Sequence, residues 1–245
     1  MRTFVRHVAP SLFVCAVPLV VAALGAGCGQ TDEPYKATPA FSGRKASLPA
    51  VPTLPTKAIK VGDAYTVYGA THHLRSRVHN VDVANKDLTI TGYIVKTNLL
   101  EAPECAVHKT GKGDKDDCKA PVPAFWIADE KGDDKNAIKV MGWASNFAQI
   151  YDAVQKYSAP KGAKEVEAVK DEFWAVDIPN PIPNVGAKVT VNGNFAVSFT
   201  KATSSVETDP SHGILTYAKL TYVEPPAEPG TLPGMKGAPA PAKKK

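Results

Sequence analysis

The chain has 245 residues, 44% of them hydrophobic and 22% charged, which is material for one core of domain size plus tails. Lys and Arg number 29 against 24 Asp and Glu, a formal charge of +5. So small an excess excludes the strongly basic balance of a dedicated nucleic-acid-binding domain.

At the N-terminus, Arg2, Arg6 and His7 precede an apolar run from Val8 to Leu24, then the small residues Gly25-Ala26-Gly27 and Cys28. These are the three parts of an export signal. The stretch Leu24 to Gly29 resembles the cleavage and lipidation site of bacterial lipoproteins, with Gly25 where a leucine usually stands and Leu24 one position further out. The resemblance implies a signal peptide over residues 1–27 and a lipid on Cys28. It also implies a membrane-anchored place in the bacterial cell envelope, on its periplasmic or cell-surface side. An uncleaved membrane anchor is the alternative, since a span needs about 20 apolar residues. Pro10 and Pro18 inside the run favour cleavage. Without residues 1–27, 27 basic residues face 24 acidic ones.

Residues 28–61 carry Pro34, Pro39, Pro49, Pro52 and Pro55 and few bulky apolar side chains. Such a stretch cannot bury enough surface to offset its ordering entropy, so it reads as a disordered tether. Residues 224–245 read as a disordered tail, with six prolines and a final Lys243-Lys244-Lys245. The fold is therefore expected within residues 62–223.

The cysteines are Cys15, Cys28, Cys105 and Cys118. Cys15 leaves with the signal and Cys28 takes the lipid, so Cys105 and Cys118 remain as an even pair in an oxidising compartment. A disulfide is expected between them; two free buried thiols are the alternative. Closing a loop of about 15 residues contributes about 3 kcal/mol in the chain-entropy model.

Ala64 to His73 is rich in β-branched and aromatic residues and reads as a strand. Residues 88–95 alternate, with Leu88, Ile90 and Ile94 on one face, and Gly92 suggests a bulge or bend. Ala124 to Ala128 and Ala137 to Trp143 predict two short strands joined by the polar turn from Asp129 to Asn136. Phe147, Ile150, Tyr151, Val154 and Tyr157 recur at helical spacing, with Asn146 placed to cap toward Gln149. Lys161 to Asn184 is ambiguous between a short helix and a strand, until Pro179, Pro181 and Pro183 end either. Ala187 to Val197 alternates strictly, and Ile214 to Val223 is the last strand.

A mainly β chain with one helix between the third and fourth of five strands resembles the OB-fold, a five-stranded Greek-key barrel. Gly92-Tyr93-Ile94-Val95 is similar to the first strand of bacterial OB domains. Phe125-Trp126-Ile127-Ala128-Asp129 is similar to the second with its aspartate turn, and the run from Pro183 to Gly193 to the start of the fourth. The resemblance covers Lys86 to Val223. The cysteine loop, the extra N-terminal strand and the long stretch after the helix depart from a minimal domain. Another small antiparallel barrel or sandwich is the alternative.

On that barrel, alternation turns Leu88, Ile90, Ile94, Phe125, Ile127, Ile138 and Val140 inward. Tyr93, Trp126, Lys139, Met141 and Trp143 then face outward from strands 1–3, the surface on which OB domains commonly bind ligands. Aromatics beside a lysine suit stacking on bases or sugars. The competing expectation is that residues 161–184 fold back and cover them with Phe173 and Trp174. The histidines and the acidic runs Asp114 to Asp117 and Asp129 to Asp134 match neither a zinc nor a calcium spacing, and no nucleophile elbow, phosphate loop or dinucleotide fingerprint occurs. No enzyme activity, cofactor or metal is expected. The sequence points to a monomeric, lipid-anchored binding module contacting an envelope protein, with nucleic-acid or oligosaccharide binding as the alternative.

Overall fold

This computed structural model describes residues 57–158, 167–200 and 206–235, all within the unit Leu54–Lys245. The expected signal segment, Cys28 and nearly all of the expected tether lie outside the described residues. A two-stranded ribbon, β1 (Lys60–Val61) and β2 (Ala64–Thr66), leads into helices α1 (Val67–Thr71) and α2 (Arg77–Val83). Then come β3 (Lys86–Thr97), β4 (Ala124–Ala128), β5 (Ile138–Met141), α3 (Phe147–Ser158), β6 (Lys188–Ala196) and β9 (Ile214–Glu224). A small hairpin, β7 (Ser198–Thr200) and β8 (Val206–Thr208), lies between β6 and β9.

Five of these strands close into a barrel in the order β3-β4-β5-β9-β6, with β6 pairing back onto β3. All neighbours are antiparallel except β5 and β9, which run parallel. Helix α3 lies between the third and fourth barrel strands, β5 and β6. The architecture is therefore the mainly β, OB-like barrel that the strand order predicts. The extra N-terminal strand is present as β2, which pairs parallel to β3.

Strand β3 spans twelve residues because it serves two barrel neighbours, β4 through one half and β6 through the other, besides β2. The irregularity expected near Gly92 comes slightly later, as a register shift between Ile94 and Lys96. Every side chain expected to point inward does so: Leu88, Ile90, Ile94, Phe125, Ile127, Ile138 and Val140 all join the main core. Val189, Val191, Phe195 and Leu215 fill it from β6 and β9. Each large aliphatic side chain fully removed from water contributes about 1.5–3 kcal/mol. Helix α3 adds Phe147, Ile150 and Val154, and Asn146 Oδ1 accepts the Gln149 amide at 3.0 Å as its cap.

After α3, the described part of the ambiguous stretch is neither a helix nor a named strand; one bridge joins Lys170 to Asp177. It is fastened by side chains instead. The hydroxyls of Tyr157, Tyr217 and Tyr222 donate to the carbonyls of Ile178, Asp177 and Pro181 at 2.8, 2.9 and 2.7 Å. Burial pushes all three hydroxyls above the usual tyrosine range, so they stay protonated and keep donating. Cys105 and Cys118 are disulfide-bonded, with Cα atoms 5.9 Å apart, and their loop meets α3 where the Thr110 amide donates to Asp152 at 3.2 Å.

Two expectations are corrected. The stretch Ala64 to His73 is not one strand: β2 stops at Thr66, whose Oγ1 accepts the Gly69 amide at 2.8 Å and starts α1. The Asp129 carboxylate takes the Val67 and Tyr68 amides at 2.7 and 2.8 Å. A partner some 60 residues away thus overrides local β-propensity. Helix α2 and the β7–β8 hairpin are additions that the pattern of the chain does not announce. Finally, the expected tail packs against the fold at residues 230–235, with Leu232 fully buried in the main core and the Gly230 amide donating to Ile182 O at 3.0 Å.

Candidate functional site

Register fixes which side chains share the outer surface of the first three barrel strands. Trp126 stands opposite Lys96 on β3 and Lys139 on β5, and Tyr93 stands opposite Lys188 on β6. Tyr93, Trp126 and Lys139 are outward and half-buried, as expected. Each ring carries two ammonium groups. Lys96 and Lys139 lie 4.8 and 5.4 Å from the Trp126 ring centre, and Lys131 and Lys188 lie 4.9 and 5.2 Å from that of Tyr93. Such contacts contribute about 0.5–1 kcal/mol each at exposed sites. Lys139 is also paired with Glu207 of β8.

Met141 faces the same way as Lys139 but is fully buried. It belongs to a second small core with Ala124, Phe199 and Ile214, edged by Val122, Trp126 and Trp174. Phe199 comes from the β7–β8 hairpin, and the Trp174 ring lies 5.3 Å from it. The turn carrying Trp174 is pinned by buried Asp171, whose carboxylate accepts the amides of Ser145, Phe173 and Trp174 at 2.6, 3.0 and 2.7 Å. Among the described residues of the stretch 161–184, the expected fold-back is real at the Met141 end of the face. Phe173 remains 48% exposed.

Trp143 is corrected outright. It lies in the main core, fully buried, 6.0 Å from the Phe125 ring. Strand β5 ends at Met141, and Gly142 adopts φ +85°, a left-handed conformation that glycine takes without steric cost. That turn breaks the two-residue alternation and sends Trp143 inward. Of the five outer-face residues named from the sequence, the structure keeps Tyr93, Trp126 and Lys139 together in contact with solvent, covers Met141 and buries Trp143.

Sequence reasoning missed Lys96, Lys131 and Lys188, because their meeting with the rings depends on register. It also missed a cleft of about 330 Å³ beside Tyr93. Val61 and Thr66 of the N-terminal ribbon form one side, Thr91 and Tyr93 belong to β3, Lys188 to β6, and Asp129 and Glu130 follow β4.

None of the described histidines sits on a strand. His72 ends α1, with its Nδ1 2.9 Å from Tyr68 O, and its ring lies 4.0 Å from that of His79. Burial, followed by the neighbouring His72, holds the His79 ring below the usual histidine range. Among the described residues no group of three or more His, Cys, Asp or Glu is placed to hold a metal, and no helix is long and apolar enough to cross a membrane.

No protein-family model matches the chain, and no curated protein matches it. Among solved structures, a match covers 74% of this chain and 24% of the other, at 14% identity and a TM-score of 0.31. Its description names an aspartyl-tRNA synthetase from Leishmania major Friedlin. The chain spans about a quarter of that protein's length, and at that score the likeness carries nothing about function.

Proposed function

We propose that this protein is a lipid-anchored binding module of the cell envelope, without catalytic activity, that meets a partner protein through its Tyr93–Trp126 face. One observation carries the reading: two aromatic rings flanked by four lysines stay open to solvent on a barrel whose adjoining surface is sealed by a second core. Trp and Tyr are enriched among the residues that anchor protein interfaces, and lysines around them suit the polar rim. The Leu24–Cys28 stretch supplies the anchor in this reading, and the proline-rich residues after it supply reach, at about 3.1 Å per residue when extended.

Photo-crosslinking in intact cells tests it. A photoreactive side chain at Tyr93 is expected to capture one envelope protein, and Trp126→Ala to abolish the capture. Equal capture from Asn192, on the polar wall where its amide donates to Thr89 at 2.7 Å, would reject the face. Labelling with radioactive palmitate is expected for the natural chain and not for Cys28→Ala.

The paired lysines and rings favour a second reading, in which the same face stacks on bases or sugars. Each stacked base is worth about 1–3 kcal/mol, and the platform has two rings, since Trp143 is buried. Unchanged affinity of Trp126→Ala for single-stranded oligonucleotides and glycans rejects this alternative.

A further inference from the structure

We infer that the cleft between the N-terminal ribbon and β3 binds a small amphipathic anion: a carboxylate or phosphate carried on a planar or short apolar body. It goes beyond the partner-binding reading and stands whether or not a macromolecule docks on Trp126. Its volume of about 330 Å³ sits at the small end of the range for small-molecule sites, about 300–1,000 Å³.

The cations of the cleft are unequally occupied. Of the two lysines that line it, Lys57 lies 3.8 Å from Glu130, which also lines the cleft, in a pair whose side chains are both more than half exposed. Exposed pairs of this kind contribute little and give way readily to a competing anion. Lys188 is different. Among the described residues it has no carboxylate within ion-pair distance, and it rests beside the Tyr93 ring. Asp129, one of the two carboxylates that line the cleft, has both oxygens committed to the Val67 and Tyr68 amides. An anion beside Lys188 therefore meets a cation without displacing a bound carboxylate, while Val61 and Tyr93 offer apolar surface to its body. The same apolar lining disfavours a bare inorganic ion, which would lose hydration there without regaining it.

The test is a set of titrations of the ¹⁵N-labelled full chain, followed by amide chemical shifts. Phenyl phosphate and phenylacetate are the anionic probes; benzyl alcohol lacks the charge and inorganic phosphate lacks the body. At least one anionic probe is expected to give saturable shifts at Thr91, Tyr93 and Lys188, with both controls about tenfold weaker or more. Comparison of the two anions tells a phosphate site from a carboxylate site. Lys188→Gln is expected to weaken the preferred probe about tenfold, and Lys188→Met, which keeps the apolar stem, to do the same. Val61→Trp, at an exposed position on the cleft wall, is expected to block binding, and Trp126→Ala to leave it unchanged. Benzyl alcohol binding as well as the anions overturns the inference. So do a folded Lys188 variant with undiminished affinity and the absence of saturable shifts with both anions.

Discussion

The outer face of the first three barrel strands is one surface with two halves. At one end Tyr93 and Trp126 lie half open under lysines; at the other Met141 lies fully buried beneath Phe199 and Trp174. Both halves are written by the same alternation on the same strands. What separates them is chain from much later in the sequence, the β7–β8 hairpin and the turn held by Asp171. Alternation thus decides which way a side chain points, while the connections decide whether it meets water.

Breaking the sealed half should have the largest effect. Phe199→Ala removes the hairpin's side chain from the second core and is expected to cost about 3–5 kcal/mol by denaturant unfolding. A cost below about 1 kcal/mol would mean that the hairpin merely lies over Met141 and does not hold the surface closed. At the rim of the open half, Asp129→Ala removes the acceptor of two α1 amides. It is expected to cost about 1–2 kcal/mol and to increase hydrogen exchange at Val67 and Tyr68, whereas exchange at Met141 stays unchanged. In the open half itself, Lys96→Ala is expected to cost only about 0.5 kcal/mol, since Lys96 meets Trp126 at the surface. A larger loss would show that this half, too, is a core.

The smallest effect is expected outside both halves, in the disulfide loop. The His108 ring bonds the Lys109 carbonyl through Nδ1 and Asp114 through Nε2, so both nitrogens donate and the protonated form is favoured. The Lys109 contact, then that of Asp114, raises its pKa above the ordinary 6.5. The stabilisation is complete below pH 6.5 and is lost as pH rises through the raised value. Titration of the ring followed by NMR should show the upward shift, and Asp114→Asn should reduce it. A ring titrating at its ordinary value in the natural chain would remove the clamp.

The barrel was legible because it is built from local signals. Leu88, Ile90 and Ile94 mark β3 by period two, Phe147, Ile150 and Val154 mark α3 by helical period, and the order of elements does the rest. The Cys105–Cys118 bond followed from counting the cysteines left over once Cys15 and Cys28 were assigned to an expected export signal. Trp143 was not legible, because one left-handed residue, Gly142, interrupts the period just before it. Helix α1 was hidden for another reason: Tyr65-Thr66-Val67-Tyr68 has strand-like side chains, and the group that bends it into a helix is Asp129. Lys139 was legible beside Trp126, but Lys96, Lys131 and Lys188 meet the rings only through strand pairing and turns, which no single strand carries.

Leu232 and Gly230 bear on how the chain could be cut or fused. A Cβ on Gly230 would lie 2.5 Å from Pro183 O and 2.6 Å from Leu99 Cδ1, so this proline-rich stretch fits against the connections after β3 and before β6 like a stopper. A reporter joined after Glu224 would ride on a barrel with that stopper pulled. One joined after Met235 would leave it seated, and the two fusions should differ in solubility although neither junction touches a barrel strand's interior.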